Sequence, residues 1–188
     1  MQTIAELTAW LDRAGIDLMA WGQDGAKTAV YLLRELEEGD CELHDNPPRR
    51  VVRVVELLIS REGMQLMEVA QELADGRFRH RNLPPSEKMK TGEAVDAAAI
   101  RCAEEELLVD KTAVSILTAT HPQKERQLVS PSYPGLLTLY TIFSVKTAVD
   151  GLPADDFWRD NSAATAGDPI RRHQWGWREL VDAPAVAD

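Results

Sequence analysis

Apolar residues return every three or four positions in TIAELTAWLDRAG, where Ile4, Leu7 and Leu11 share one helical face and Gly15 supplies a stop. The same period in KTAVYLLRELEEG predicts a second helix over Lys27 to Glu38, with Val30, Leu33 and Leu36 inward and Gly39 behind it. HDNPPRR reads as a linker, because consecutive prolines cannot continue a helix. Beyond it the pattern becomes strand-like. RVVRVVELLIS (Arg50–Ser60) and MQLMEVAQEL (Met64–Leu73), joined by REG, predict a hairpin, and ADG turns the chain into RFRHRNL (Arg77–Leu83). PPSEKMKTGE reads as loop and Ala94–Leu108 as helix. Strand-like runs follow at AVSILTATH and LLTLYTIFSVKTAV, and HQWGWREL reads as a short strand or turn. Strands, one central helix and more strands predict an α+β domain over residues 48–188, with an N-terminal helical extension over residues 1–47.

Composition narrows the partners. At 188 residues and 44 % hydrophobic content the chain can bury a sizeable core. A formal charge of −10 repels phosphate backbones, which argues against general nucleic-acid binding but leaves room for a small anionic ligand on a local basic patch. No run of 18 apolar residues predicts a membrane span, and MQTIAELTAWLDRAG lacks the basic start and apolar centre of a signal peptide. Cys41 and Cys102 form neither a disulfide framework nor a paired ligand motif, so a cytoplasmic protein with free thiols is the simplest expectation. Association as a homodimer is left open.

The densest chemistry lies in GEAVDAAAIRCAEEELLV, Gly92 to Val109. On a helix, Ile100, Ala103 and Leu107, with Ala99 beside them, form an apolar stripe. Ala98, Arg101, Cys102 and Glu105 form the next stripe, with Glu106 one turn after Cys102. Two adjacent carboxylates, Glu105 and Glu106, suit a hard cation such as Mg²⁺ or Mn²⁺. A solvated acidic face with an Arg101–Glu105 pair satisfies the same spacing.

This segment resembles the signature of the Nudix hydrolases, G-x5-E-x7-R-E-U-x-E-E-x-G-U with U aliphatic. Glu93 falls on its first glutamate, Arg101 on its arginine, Glu105 and Glu106 on its paired glutamates and Val109 on its final aliphatic. Glu87 stands where the family has its first glycine, Cys102 where it has the glutamate after the arginine, and Leu108 where it has the last glycine. The resemblance implies a Nudix-like mixed sheet packed against the central helix. It also implies a divalent metal at the paired glutamates Glu105 and Glu106 and Arg101 orienting a glutamate; among the remaining carboxylates, Glu87, Glu93 or Glu104 would help to hold the ion. The missing carboxylate at Cys102 alters that site, and a thiolate is too soft to replace it for Mg²⁺.

Strand alternation puts Arg77, Arg79 and Arg81 on one face, opposite Phe78 and His80. With Lys88 they would neutralise phosphates, or else pair with the chain's excess acids. Tyr133, in the proline- and glycine-bounded turn SPSYPG, would stack on a base or pin the loop. Trp175 and Trp177 would stack a nucleobase or fill core. His80 and His173 are candidate general bases or surface groups. Two functions follow. One is a metal-dependent pyrophosphohydrolase acting on a nucleoside diphosphate derivative. The other is a catalytically inactive Nudix-like module that binds a nucleotide or a protein partner.

Overall fold

The computed structural model describes residues 3–23, 25–161 and 170–179. In chain order the elements are α1 (Ile4–Arg13), α2 (Ala29–Glu37), β1 (Glu42–Asp45), β2 (Pro48–Arg61), β3 (Met64–Leu73), β4 (Phe78–Leu83) and β5 (Ser86–Lys88). Then come α3 (Val95–Leu107), β6 (Val114–Ile116), β7 (Gln123–Val129), β8 (Leu137–Val149), β9 (Phe157–Asp160) and β10 (Ile170–Glu179). The fold is α+β. The chain forms two compact units, one from residues 1–54, 88–95 and 123–143, the other from 55–87, 96–122 and 144–188.

In the first unit, α1 starts where the Thr3 hydroxyl accepts the Glu6 N–H at 3.2 Å, and Leu7, Trp10 and Leu11 are buried. They pack with Trp21, Leu32, Val52, Tyr133 and Leu136. Ile4, expected inward, is 40 % exposed, because Trp10 takes its share of the buried face.

α2 is rotated from expectation. Leu32 and Glu35 are its buried residues, Leu33 and Leu36 are half-buried, and Val30 is 64 % exposed. A carboxylate can occupy that inward position because Arg50 meets it at 2.6 Å, and Lys27 and Lys88 each at 2.8 Å. Burial alone would raise the Glu35 carboxyl, but these cations bring it down to about 2. The stretch expected as a linker forms a hairpin instead. β1 pairs antiparallel with β2 from Glu42↔Val51 to Asp45↔Pro48, and a cis Asn46–Pro47 peptide sits in the turn. Positions 47 and 48, where the sequence suggested a boundary, belong to that hairpin. β7, absent from the sequence-based expectation, pairs antiparallel with the first half of β8.

In the second unit the expected hairpin closes β2 on β3 through Ser60↔Gln65 and Arg61↔Met64. Its two turn residues, Glu62 and Gly63, have φ of 51° and 78°, the signs a tight two-residue hairpin turn requires. β3 lies between β10 and β4, β9 lies on β10, and β6 pairs with the end of β8. α3 buries Ala98, Ala99, Cys102, Ala103 and Leu107. Ile100, expected in that stripe, is half-buried, so the inward face is turned toward Cys102. Trp175 and Trp177 are both buried. The Trp177 indole donates to the Pro153 carbonyl at 2.9 Å and its ring lies under the Arg61 guanidinium at 4.3 Å.

Candidate functional site

The C-terminal half of α3 presents Arg101, Glu105 and Glu106 within the second unit. Arg101 Nη1 reaches Glu105 Oε2 at 3.0 Å, the one-turn pair that the spacing allowed. Glu106 turns the other way, toward β3 and β10, and only 20 % of its side chain is exposed. His173 Nδ1 on β10 lies 3.9 Å from Glu106 Oε2 and 2.6 Å from Glu68 Oε1 on β3. Glu68 also accepts from Gln71 at 2.6 Å and from Arg81 Nε at 3.0 Å.

These contacts separate the carboxyls electrostatically. Burial opposes ionisation of Glu68, but hydrogen bonds from His173 and Gln71 and the charges of His173 and Arg81 hold it below its ordinary value. Burial pushes Glu106 up to about 7. His173 pulls against that shift, while Glu87, Glu68 and Glu105 add to it. Cys102 is fully buried, and burial, with Glu106 and Glu87 beside it, pushes its thiol well above the ordinary range. It is a small packed neutral group and supplies no thiolate.

Leu108, at the glycine position of the resemblance, has φ of 53°. Leu108 thus holds a left-handed backbone conformation that glycine adopts without steric cost. Arg159 Nε donates to the Leu107 carbonyl at 2.7 Å, satisfying one of the orphan acceptors at that helix end.

Arg77 precedes β4 and pairs with Asp75 at 2.7 Å, Arg79 Nε bonds Gln71 at 2.8 Å, and Arg81 bonds Glu68. Each of these arginines thus has a partner inside the unit. Glu87 is half-buried near Cys102 and Glu106. Three other candidates belong to the first unit. Glu93 accepts the Lys90 N–H at 2.8 Å, and Lys88 binds Glu35. Tyr133 is 1 % exposed, with its ring against Trp21 at 5.0 Å and the Arg50 guanidinium 5.2 Å from the ring centroid, so it pins its loop. Burial pushes its hydroxyl upward.

Sequence reasoning missed Glu68. A signal existed, since Glu68 stands in phase with the buried Leu66 and Ala70, where a strand facing water on one side should be apolar. His173, expected as a general base or a surface group, is buried.

Among the described residues no group of three or more His, Cys, Asp or Glu side chains is arranged to hold a metal ion. The donor chemistry nevertheless fits a hard cation bound by few protein ligands. Glu87, Glu105 and Glu106 offer only carboxylate oxygens, and the crowding of Glu106 by like charges is what a divalent ion would relieve.

No family model matches the chain, and no curated protein matches it. Solved structures similar to it include a MutT Nudix hydrolase from Burkholderia pseudomallei, 20 % identical with a TM-score of 0.40, covering 71 % of this chain and 87 % of that one. A C. elegans Ap4A hydrolase in a binary complex is 18 % identical with a TM-score of 0.38, covering 68 % of this chain and 80 % of that one. A Nudix hydrolase from Nitrosomonas europaea is 22 % identical with a TM-score of 0.39, covering 66 % of this chain and 71 % of that one. Overlaps of this size leave the chemistry to the chain's own side chains.

Proposed function

We propose that this protein is a divalent-metal-dependent pyrophosphohydrolase acting on a nucleoside diphosphate derivative, with an altered Nudix-type helix. The observation that supports it is the crowding of the half-buried Glu106 by Glu87, Glu68 and Glu105, with His173 Nδ1 3.9 Å from its carboxyl. Glu106 and one neighbouring carboxylate, Glu105 or Glu87, are the ligands we assign, for Mg²⁺ or Mn²⁺. When bound, such an ion neutralises phosphate charge and acidifies a water molecule.

The chain's own groups divide the remaining work. Arg101 orients Glu105 through their 3.0 Å contact. Near neutral pH the Glu106 carboxyl exchanges its proton, with the His173 ring 3.9 Å away. Glu68 fixes the His173 ring by accepting at Nδ1. Arg79 and Arg81, held by Gln71 and Glu68, keep positive charge along β4 for a diphosphate.

A second reading is a catalytically inactive module that binds a nucleotide or a protein partner. It is favoured by the buried thiol of Cys102 at the missing ligand position. A screen of nucleoside diphosphate derivatives with Mg²⁺ or Mn²⁺, reading nucleoside monophosphate release, separates them. The hydrolase predicts release that depends on the metal and falls in Glu106→Gln. Nucleotide binding with no product from any substrate leaves the module.

A further inference from the structure

We propose that the outer edge of β1 is a docking site for an extended, basic peptide segment of a partner protein. Among the described residues β1 pairs with β2 and with no other strand. One side of Glu42–Asp45 therefore offers main-chain groups to an added strand. Along this strand runs a groove of about 530 Å³, bounded by Trp10 of α1 and Leu36 of α2, all within the first unit.

The lining states the chemistry of the occupant. Leu36, Leu43 and the Trp10 indole give it an apolar floor, and Trp10 is fixed because its N–H donates to Asp45 Oδ1 at 2.7 Å. Glu42 and Asp45 supply negative charge, and His44 is the one basic side chain of the lining, 3.6 Å from the Glu42 carboxylate. The complement is an apolar chain carrying lysine or arginine. An added strand projects successive residues to opposite faces, so a basic residue and the apolar residue next to it would meet Glu42 on one face and the Trp10–Leu43 floor on the other. An indole face beside carboxylates also favours a cation.

The test uses the full chain and three capped eight-residue probes. One alternates lysine and valine, the second replaces lysine by glutamate, and the third is the lysine peptide with two central prolines. Amide resonances of residues 42–45 and the Trp10 indole resonance are followed by NMR during titration. The lysine peptide should shift these signals. The glutamate and proline peptides should bind at least about tenfold more weakly, for want of charge complementarity and of main-chain donors respectively. Glu42→Lys, a change at an exposed side chain, should cost the lysine peptide a similar factor while the melting temperature holds. Equal binding of the three probes, shifts confined to other residues, or unaltered affinity in Glu42→Lys would overturn the proposal. Signals of residues 42–45 that move with protein concentration alone would make the occupant a second copy of the chain, and would overturn it too.

Discussion

Replacing Glu106 by glutamine removes a titrating charge while keeping the side chain's shape. In the folded protein this carboxyl is pushed up to about 7, against an ordinary value of 4.5. The sign follows from which state holds the proton more tightly. Below pH 4.5 the group is protonated in both states and contributes nothing. Between 4.5 and 7 the unfolded chain releases the proton first, so stability falls as pH rises, by up to about 1.4 kcal/mol per pH unit. Above 7 the group is ionised in both states, and the full penalty is about 3 kcal/mol. Only 20 % of the side chain is exposed, so solvent screens little of it. Glu106→Gln should therefore match wild type near pH 4.5 and exceed it by up to about 3 kcal/mol at pH 8. Loss of the His173 contact at 3.9 Å trims that gain. The assay is urea unfolding at half-unit steps from pH 4.5 to 8 in a chelating buffer. Parallel stability curves, or a glutamine variant weaker than wild type at pH 8, would refute the burial and crowding of Glu106. Adding Mg²⁺ or Mn²⁺ should then stabilise wild type at pH 8 more than the variant.

Three further outcomes are expected. Leu107→Asp, at a fully buried position, should cost at least about 3 kcal/mol in chemical denaturation, while the half-buried Glu104→Lys should stay within about 0.5 kcal/mol of wild type. Leu108→Gly should stabilise by up to about 1 kcal/mol, because glycine accepts φ of 53° without steric cost and the lost side chain is 44 % exposed; a lower melting temperature would contradict this. Cys102→Glu should lower metal-free stability by several kcal/mol, since a carboxylate is forced into a fully buried position beside Glu106 and Glu87. It should also gain more than wild type from Mg²⁺ in a thermal melt. An equal gain would mean that the helix edge is not a metal site short of one ligand.

Local pattern made part of this molecule legible. The α1 stop at Gly15, the β2–β3 hairpin and the extent of α3 follow from turn chemistry and periodicity, interactions between residues close in the chain. The Arg101–Glu105 pair belongs to the same class, because one helical turn dictates it. β7 escaped notice because QKERQLV carries almost no apolar alternation, and its strand state is imposed by seven residue pairings with β8. The inward turn of Glu35 escaped for a related reason. Helix periodicity places carboxylates in water, and the buried position becomes tolerable through Lys27, eight residues away, and through Arg50 and Lys88, 15 and 53 residues away.

The acidic edge of α3 and the thiol that interrupts it at Cys102 can be read from residue order alone. It carried no information on which glutamate faces solvent and which faces the sheet. That was decided when the β3–β10 register set His173 opposite Gln71 and brought its ring to Glu68, 105 residues earlier in the chain. The physical reason is range. A helix turn or a hairpin loop is set by steric and hydrogen-bonding preferences over a few residues. The electrostatic environment of Glu106 is a sum over groups from β3, β5, α3 and β10, which only the tertiary fold places within reach of one another.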